Sequence, residues 1–196
     1  MSIITLNEFL NNISKYIHPN KKPFIIGITG GSGSGKNFTA KKILKKLVNS
    51  SILSIDDYYL DSKDFENENR DIPSAIDLNL IQTHLTSLKS NNQINKPIFN
   101  FKTHLRESYE KFSPSDIIIL EGLFSLNEKF LPLLDLKIFI DSNEKIRLNR
   151  RILRDTNTRG DTQEQILKRW NSTVEPMFKE HILPQKSNSD MIIENN

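Results

Sequence analysis

Gly30-Gly31-Ser32-Gly33-Ser34-Gly35-Lys36-Asn37 stands directly after the apolar run Pro23-Phe24-Ile25-Ile26-Gly27-Ile28-Thr29. It precedes a segment carrying Ala40, Ile43, Leu44 and Leu47 at helical spacing. The first seven residues fit G-x-x-x-x-G-K, the pattern of a phosphate-cradling P-loop, and the required setting of strand, glycine loop and helix is present on both sides. Glycine lets successive backbone N–H groups turn inward onto an anion, and the helix adds its positive N-terminal end. Lys36 contributes a mobile charge. The next position of the pattern is Ser or Thr, whose hydroxyl binds magnesium, and here it is Asn37. The loop therefore implies binding of a nucleoside triphosphate, and Asn37 makes the manner of metal binding a question.

The remaining chain reads as alternating strands and helices. Ser51 to Ile55 and Asp116 to Leu120 are buried strands, Pro97 to Phe101 is strand-like, and Asp135 to Ile140 and Met191 to Ile193 complete the set. Helical patterns cover residues 5–17, Ala75 to Leu88, Asn143 to Arg154 after a Ser142 cap, and Gln163 to Glu180. The polar stretch Ser62 to Asp71 and the segment Thr156 to Thr162 read as loops, the latter inside a lid region at about 143–165. This alternation predicts an α/β fold, a three-layer α/β/α sandwich of the P-loop NTPase type. It has a central, mainly parallel sheet and a helical lid, and the ligands gather at the carboxyl edge of the strands.

Composition narrows the function. A chain of 196 residues suits one domain spanning 1–196. A net charge of +3 is too small to argue for a nucleic-acid or membrane-surface partner. The absence of cysteine excludes disulfides and thiolate metal sites and agrees with a cytoplasmic location. No stretch approaches the roughly 20 apolar residues of a membrane span. Asn95-Lys96-Pro97-Ile98 lacks the acid of a guanine-reading N-K-x-D motif, which speaks against a GTPase switch.

Two acids fall at the edge where the chemistry needs them. Asp56 follows the strand ending at Ile55, and Glu121 follows Ile117-Ile118-Ile119-Leu120. Phosphoryl transfer is mostly positioning and charge neutralisation, with one acid holding the metal and another taking the proton of the attacking hydroxyl. Glu121 suits the first role and Asp56 the second, although Asp56 and Asn37 are also oxygen donors within reach of a metal. Phe99 and Phe101 share one face of a strand, either as a flat wall for a ring or as plain core. Arg147, Arg151 and Arg154 are spaced i, i+4 and i+7, which places them along one helix face toward the lid.

Three further stretches carry a resemblance. Ser54-Ile55-Asp56-Asp57-Tyr58-Tyr59, Asp71-Ile72-Pro73-Ser74-Ala75-Ile76-Asp77 and Pro97-Ile98-Phe99-Asn100-Phe101-Lys102-Thr103-His104-Leu105-Arg106 resemble the uridine kinase (uridine-cytidine kinase) family. Ile118 to Gly122, Asp135 to Asp141, Arg150 to Asp155 and Arg159-Gly160 follow in the family's order. The resemblance implies transfer of the γ-phosphoryl group of ATP, or GTP, to the 5'-hydroxyl of uridine or cytidine, with magnesium as cofactor. By the same match Asp56 is the general base, Lys36 and the loop from Gly30 to Asn37 bind the phosphates, and Arg154 and Arg159 close over them. Asp71 and Arg151 bind ribose hydroxyls. Tyr59, Phe99, Phe101 and His104 belong to the nucleoside pocket. A homo-oligomer, often a tetramer, is implied as well. Three departures bear on the acceptor: Asp161 and Arg169 stand where the family has arginine and glutamine, and Asp57 stands where it has serine. They leave glycerate, pantothenate or ribulose 5-phosphate open as alternative alcohols, and Asn37 leaves open a nucleotide-binding protein without catalysis.

Overall fold

The computed structural model of the protein describes residues 2–18, 20–61 and 69–196. Its centre is a six-stranded sheet of β1 (Ser2–Thr5), β2 (Phe24–Gly30), β3 (Ser50–Ser54), β6 (Ile117–Glu121), β7 (Leu136–Asp141) and β8 (Met191–Glu194). The order is β1-β8-β7-β2-β6-β3 and every neighbouring pair is parallel. Parallel strands need crossovers that cover both faces, so central strands are apolar throughout, and β2 and β6 are buried at every position.

Side chains alternate between the two faces. Phe24, Ile26 and Ile28 pack with Ile117, Ile119, Ile138 and Ile140 against Phe9 and Leu10 of α1 (Leu6–Asn12) and Ala40 and Ile43 of α2 (Lys36–Lys46). Ile25, Ile118, Leu120 and Phe139 face the other way, toward Ile81, Leu85 and Leu88 of α3 (Leu78–Lys89) and toward Phe178 and Ile182. The result is the expected three-layer α/β/α arrangement with a parallel sheet.

Several expected boundaries move, each for a local reason. The helix expected over 5–17 starts at Leu6, where the Thr5 hydroxyl caps it by accepting from the Glu8 N–H at 3.2 Å, and gives way to a 3₁₀ turn over Ile13–Lys15. Pro97 lies in β4 (Ile94–Asn100), which is outside the central sheet; it pairs antiparallel with β5 (Leu105–Phe112), a strand the pattern did not suggest. The hairpin is tied down by Lys96, 2.7 Å from both Asp57 and Glu110. Asp57 is thereby engaged in anchoring the hairpin. Asn143, not Ser142, caps α4 (Glu144–Arg159), accepting from Lys145 N–H. That helix runs on through the segment expected to be a loop and reverses at Gly160, after which Thr162 and Gln165 form a capping box at the start of α5 (Gln163–Arg169). The single helix expected from Gln163 to Glu180 is broken by π turns over Trp170–Val174 and Phe178–Ile182, between which Pro176 removes an N–H from the ladder. The expected loop from Ser62 to Asp71 falls mainly outside the described residues.

Asp135 fastens the sheet from its opposite edge. Its carboxylate accepts from Lys21 at 2.6 Å, Lys89 at 2.5 Å and the Ile25 N–H at 2.7 Å. Burial opposes ionisation, but these hydrogen bonds outweigh it and hold the carboxyl below its ordinary value of 3.8. A depressed acid stabilises the fold in full above its unfolded value and loses that contribution as pH falls through the folded one. The urea midpoint of the protein therefore drops as pH is lowered below about 4, and Asp135→Asn is expected to flatten that acid limb while costing about 1–3 kcal/mol at pH 7. Equal acid slopes for the two proteins would contradict this account.

Candidate functional site

The loop between β2 and α2 is formed by two residues that only glycine suits. Gly33 and Gly35 have φ of 78° and 94°, in the left-handed region, and Gly35 is the N-cap of α2. The Ser34 hydroxyl is buried with no hydrogen-bond partner among the described residues. Lys36 turns its ammonium back toward the Gly31 carbonyl, 3.5 Å away. Burial holds this amine below the usual lysine range, against the opposing pull of Glu121 and Asp56.

Parallel pairing delivers the acids. Glu121 is in register with Ile28 of β2 and Ser54 of β3, so it emerges one strand from the loop, and Asp56 follows β3 in the 3₁₀ turn Ile55–Tyr58. Burial pushes the Glu121 carboxyl up to about 7; Lys36 opposes this, Asp56 adds to it, and a hydrogen bond with the Asn37 side chain opposes it further. Asn37 is thus engaged with the buried acid. Lys36, Asn37, Asp56 and Glu121 meet in one place, at the carboxyl edge of the parallel strands.

The basic face of α4 lies differently from expectation. It lies against the phosphate loop. Arg147 is buried under Gly31. Arg151 donates to the Ser32 hydroxyl at 2.9 Å and pairs with Asp155 at 3.2 Å. Arg154 is the outermost; its Nε meets Asp155 at 2.8 Å, and with Arg150 it lines a cleft of about 190 Å³ whose other walls are Gly33, Gly35, Lys36 and Asn37. The side chain of Arg159 lies outside the described residues. Sequence reasoning did not reach Asn195, whose amide donates to the Ser34 carbonyl at 2.7 Å and fills the space beside Gly35. No local pattern marks such a residue, because the contact joins positions 161 apart.

On the other side of Asp56 the hairpin supplies an aromatic group. Tyr59, Phe99 and Phe101 have ring centroids 5.1–5.9 Å apart, mostly edge to face. Phe99 is buried in the core, whereas Phe101 is 43% exposed in the turn after β4, so the two do not share one strand face. Arg70, also unnoticed in the sequence, lies over Phe99 at 5.0 Å and Tyr59 at 5.6 Å. Burial raises the Tyr59 phenol well above its ordinary value, with Asp56 and Asp71 adding and Arg70 and Arg151 opposing, which gathers these five residues around one spot. His104 sits at the exposed hairpin turn with φ 61°. Arg106 locks the hairpin to the Asp56 turn through the carbonyls of Tyr58 and Tyr59 at 2.7 and 2.8 Å and through Asp77 at 3.2 Å. Asp161 and Arg169, the two departures near the lid, form an ion pair with each other.

No helix among the described residues is long and apolar enough to cross a membrane. Residues 25–196 match the model of the phosphoribulokinase/uridine kinase family. The chain is 41% identical over 181 residues to a uridine kinase of Ligilactobacillus salivarius (strain UCC118), covering 88% of this chain and 85% of that one. It is 42% identical over 182 residues to a uridine kinase of Clostridium botulinum (strain Langeland), covering 88% of each. In fold it superposes on the phosphoribulokinase of Rhodobacter spheroides with a TM-score of 0.67 at 21% identity, covering 89% of this chain and 71% of the other. A family match over residues 25–196, with relatives about 40% identical over 88% of the chain, shows that this chain belongs to the phosphoribulokinase/uridine kinase family.

Proposed function

We propose that the protein is a nucleoside kinase that moves the γ-phosphoryl group of ATP, or GTP, onto the 5'-hydroxyl of uridine or cytidine, and that it works in the cytoplasm. The observation that carries this reading is the meeting of Lys36, Asp56 and Glu121 between a P-loop and the aromatic group of Tyr59, Phe99 and Phe101. The uridine kinase names of relatives at about 40% identity support the acceptor.

The residues fit a magnesium nucleotide. The buried Ser34 hydroxyl, unpartnered among the described residues, lies in a loop of the kind that takes phosphate oxygens. Glu121 and Asp56 are hard oxygen donors whose mutual repulsion a cation relieves, and Asn37 holds Glu121 beside them. Magnesium typically takes one or two carboxylates and leaves its other positions to phosphate and water, so this small donor set suffices. When bound, the ion neutralises charge on the transferring phosphates.

Asp56 takes the proton of the 5'-hydroxyl as the new oxygen–phosphorus bond forms and the bond to the diphosphate breaks. Lys36 and Arg154 balance the negative charge that the departing diphosphate gathers. Asp71 and Arg151 hold the ribose. Tyr59, Phe99, Phe101 and His104 are assigned to the base, and Arg159 to the phosphates. A turnover screen over uridine, cytidine, purine nucleosides, glycerate, pantothenate and ribulose 5-phosphate, with ATP and GTP, tests the reading. Magnesium-dependent ADP release is expected with a pyrimidine nucleoside. Turnover with one of the other alcohols alone would reassign the acceptor, and binding of ATP without turnover of any alcohol would end the kinase reading.

A further inference from the structure

Arg147 is 2% exposed, although a basic stripe on a helix is ordinarily solvated. Its Nη2 donates to Glu175 at 2.8 Å and its Nε to the Ser142 carbonyl at 3.3 Å. The guanidinium lies over the rings of Phe178, at 4.0 Å, and Trp170, at 5.2 Å. Its Nη1 is buried without a hydrogen-bond partner among the described residues and lies 2.6 Å from where a side chain on Gly31 would begin. One turn of backbone is involved too: the Arg147 carbonyl blocks the corresponding position at Gly33.

This arrangement has a direction. The counter-charge of Glu175 is bound at Nη2, while the unpaired Nη1 edge faces the phosphate loop. The π turns on either side of Glu175 are what bring Trp170, Glu175 and Phe178 onto one guanidinium. A buried donor left unpaired is unfavourable, and native proteins keep such groups where they serve a function. The ion pair is in effect a fixed dipole with its positive end under Gly31, in surroundings where water screens little.

We propose that Arg147 is a positioning residue for the donor phosphates: it sets the shape of the loop at Gly31 and Gly33 and presents positive potential to the nucleotide without touching it. The inference rests on the nucleotide half of the function proposed above and is independent of which alcohol accepts. Calorimetric titration of the full chain with magnesium ADP, alongside thermal melts, provides the test. The double variant Arg147→Met, Glu175→Met removes both charges at similar volume, a change that buried pairs generally tolerate, so it is expected to melt near the wild-type temperature. Its ADP dissociation constant is expected to rise about tenfold or more, with the KM for uridine at saturating ATP unchanged within about twofold. A folded double variant that binds ADP within about twofold of wild type overturns the proposal. If that variant does not fold, Glu175→Gln decides: it keeps the cation and weakens its counter-charge, so tighter ADP binding supports the proposal and unchanged or weaker binding overturns it. Since ADP binding needs no acceptor, a failure of nucleoside turnover defeats the acceptor reading alone.

Discussion

Asp56→Asn is expected to lower kcat by about 10²- to 10⁴-fold and to leave ADP affinity within about threefold of wild type, the range for loss of a general base. The substitution is close to isosteric. It keeps the backbone N–H that donates to the Ser54 hydroxyl at 3.3 Å and keeps the 3₁₀ turn that the bond caps. What it removes is the acceptance of a proton at neutral pH, which an amide cannot supply. Removing the charge also relieves Glu121, which Asp56 helps to push up to about 7, so Glu121 should ionise more readily in the variant. Metal binding therefore has no reason to collapse, and the defect falls on turnover. Steady-state kinetics with uridine and ADP titration measure the two halves separately; a kcat within about threefold of wild type would sink the assignment of Asp56 as base.

Gly33→Ala is the other large effect, and it acts through the backbone. At φ 78° an alanine is strained by about 1–2 kcal/mol. The larger difficulty is that its methyl group would meet the Arg147 carbonyl well inside contact distance, and a helix backbone cannot yield as a flexible side chain does. Either the loop flattens or α4 retreats, and both changes separate the loop from Arg147, Arg151 and Arg154. Loss of nucleotide affinity beyond about 100-fold is expected, with a melting temperature lowered by several degrees. Wild-type ADP affinity in Gly33→Ala would show that the close approach of α4 to the loop is dispensable.

Departures from the expected pattern follow one physical rule. The strand, loop and helix around Gly30 to Lys36 are written in local spacing, and so are the aliphatic strands that end before Asp56 and Glu121. Parallel pairing then carries those acids to the loop without further instruction, since strands of one direction place all their carboxyl ends on one edge. The hairpin was half legible: Pro97 to Phe101 reads as a strand, but nothing local says that its partner is Leu105–Phe112 instead of the central sheet. The ion pairs of Lys96 to Asp57 and Glu110 decide that, across 39 and 14 residues of chain. Tyr59, Phe99 and Phe101 were visible as aromatic residues; their edge-to-face grouping and the Arg70 that covers it depend on the hairpin folding back over the turn that carries Asp56.

The arginines of α4 show the division most clearly. By itself the sequence determined that Arg147, Arg151 and Arg154 share a helix face and that a phosphate loop lies upstream, because both follow from the geometry of a few adjacent turns. Only the tertiary structure decided that this face is pressed against the loop, with Arg147 buried between Gly31 and Glu175, Arg151 on Ser32 and Arg154 at the open cleft. Helical spacing specifies which side chains lie together, whereas burial and partnership depend on what another part of the chain brings to that face, here residues 28 and 119 positions away.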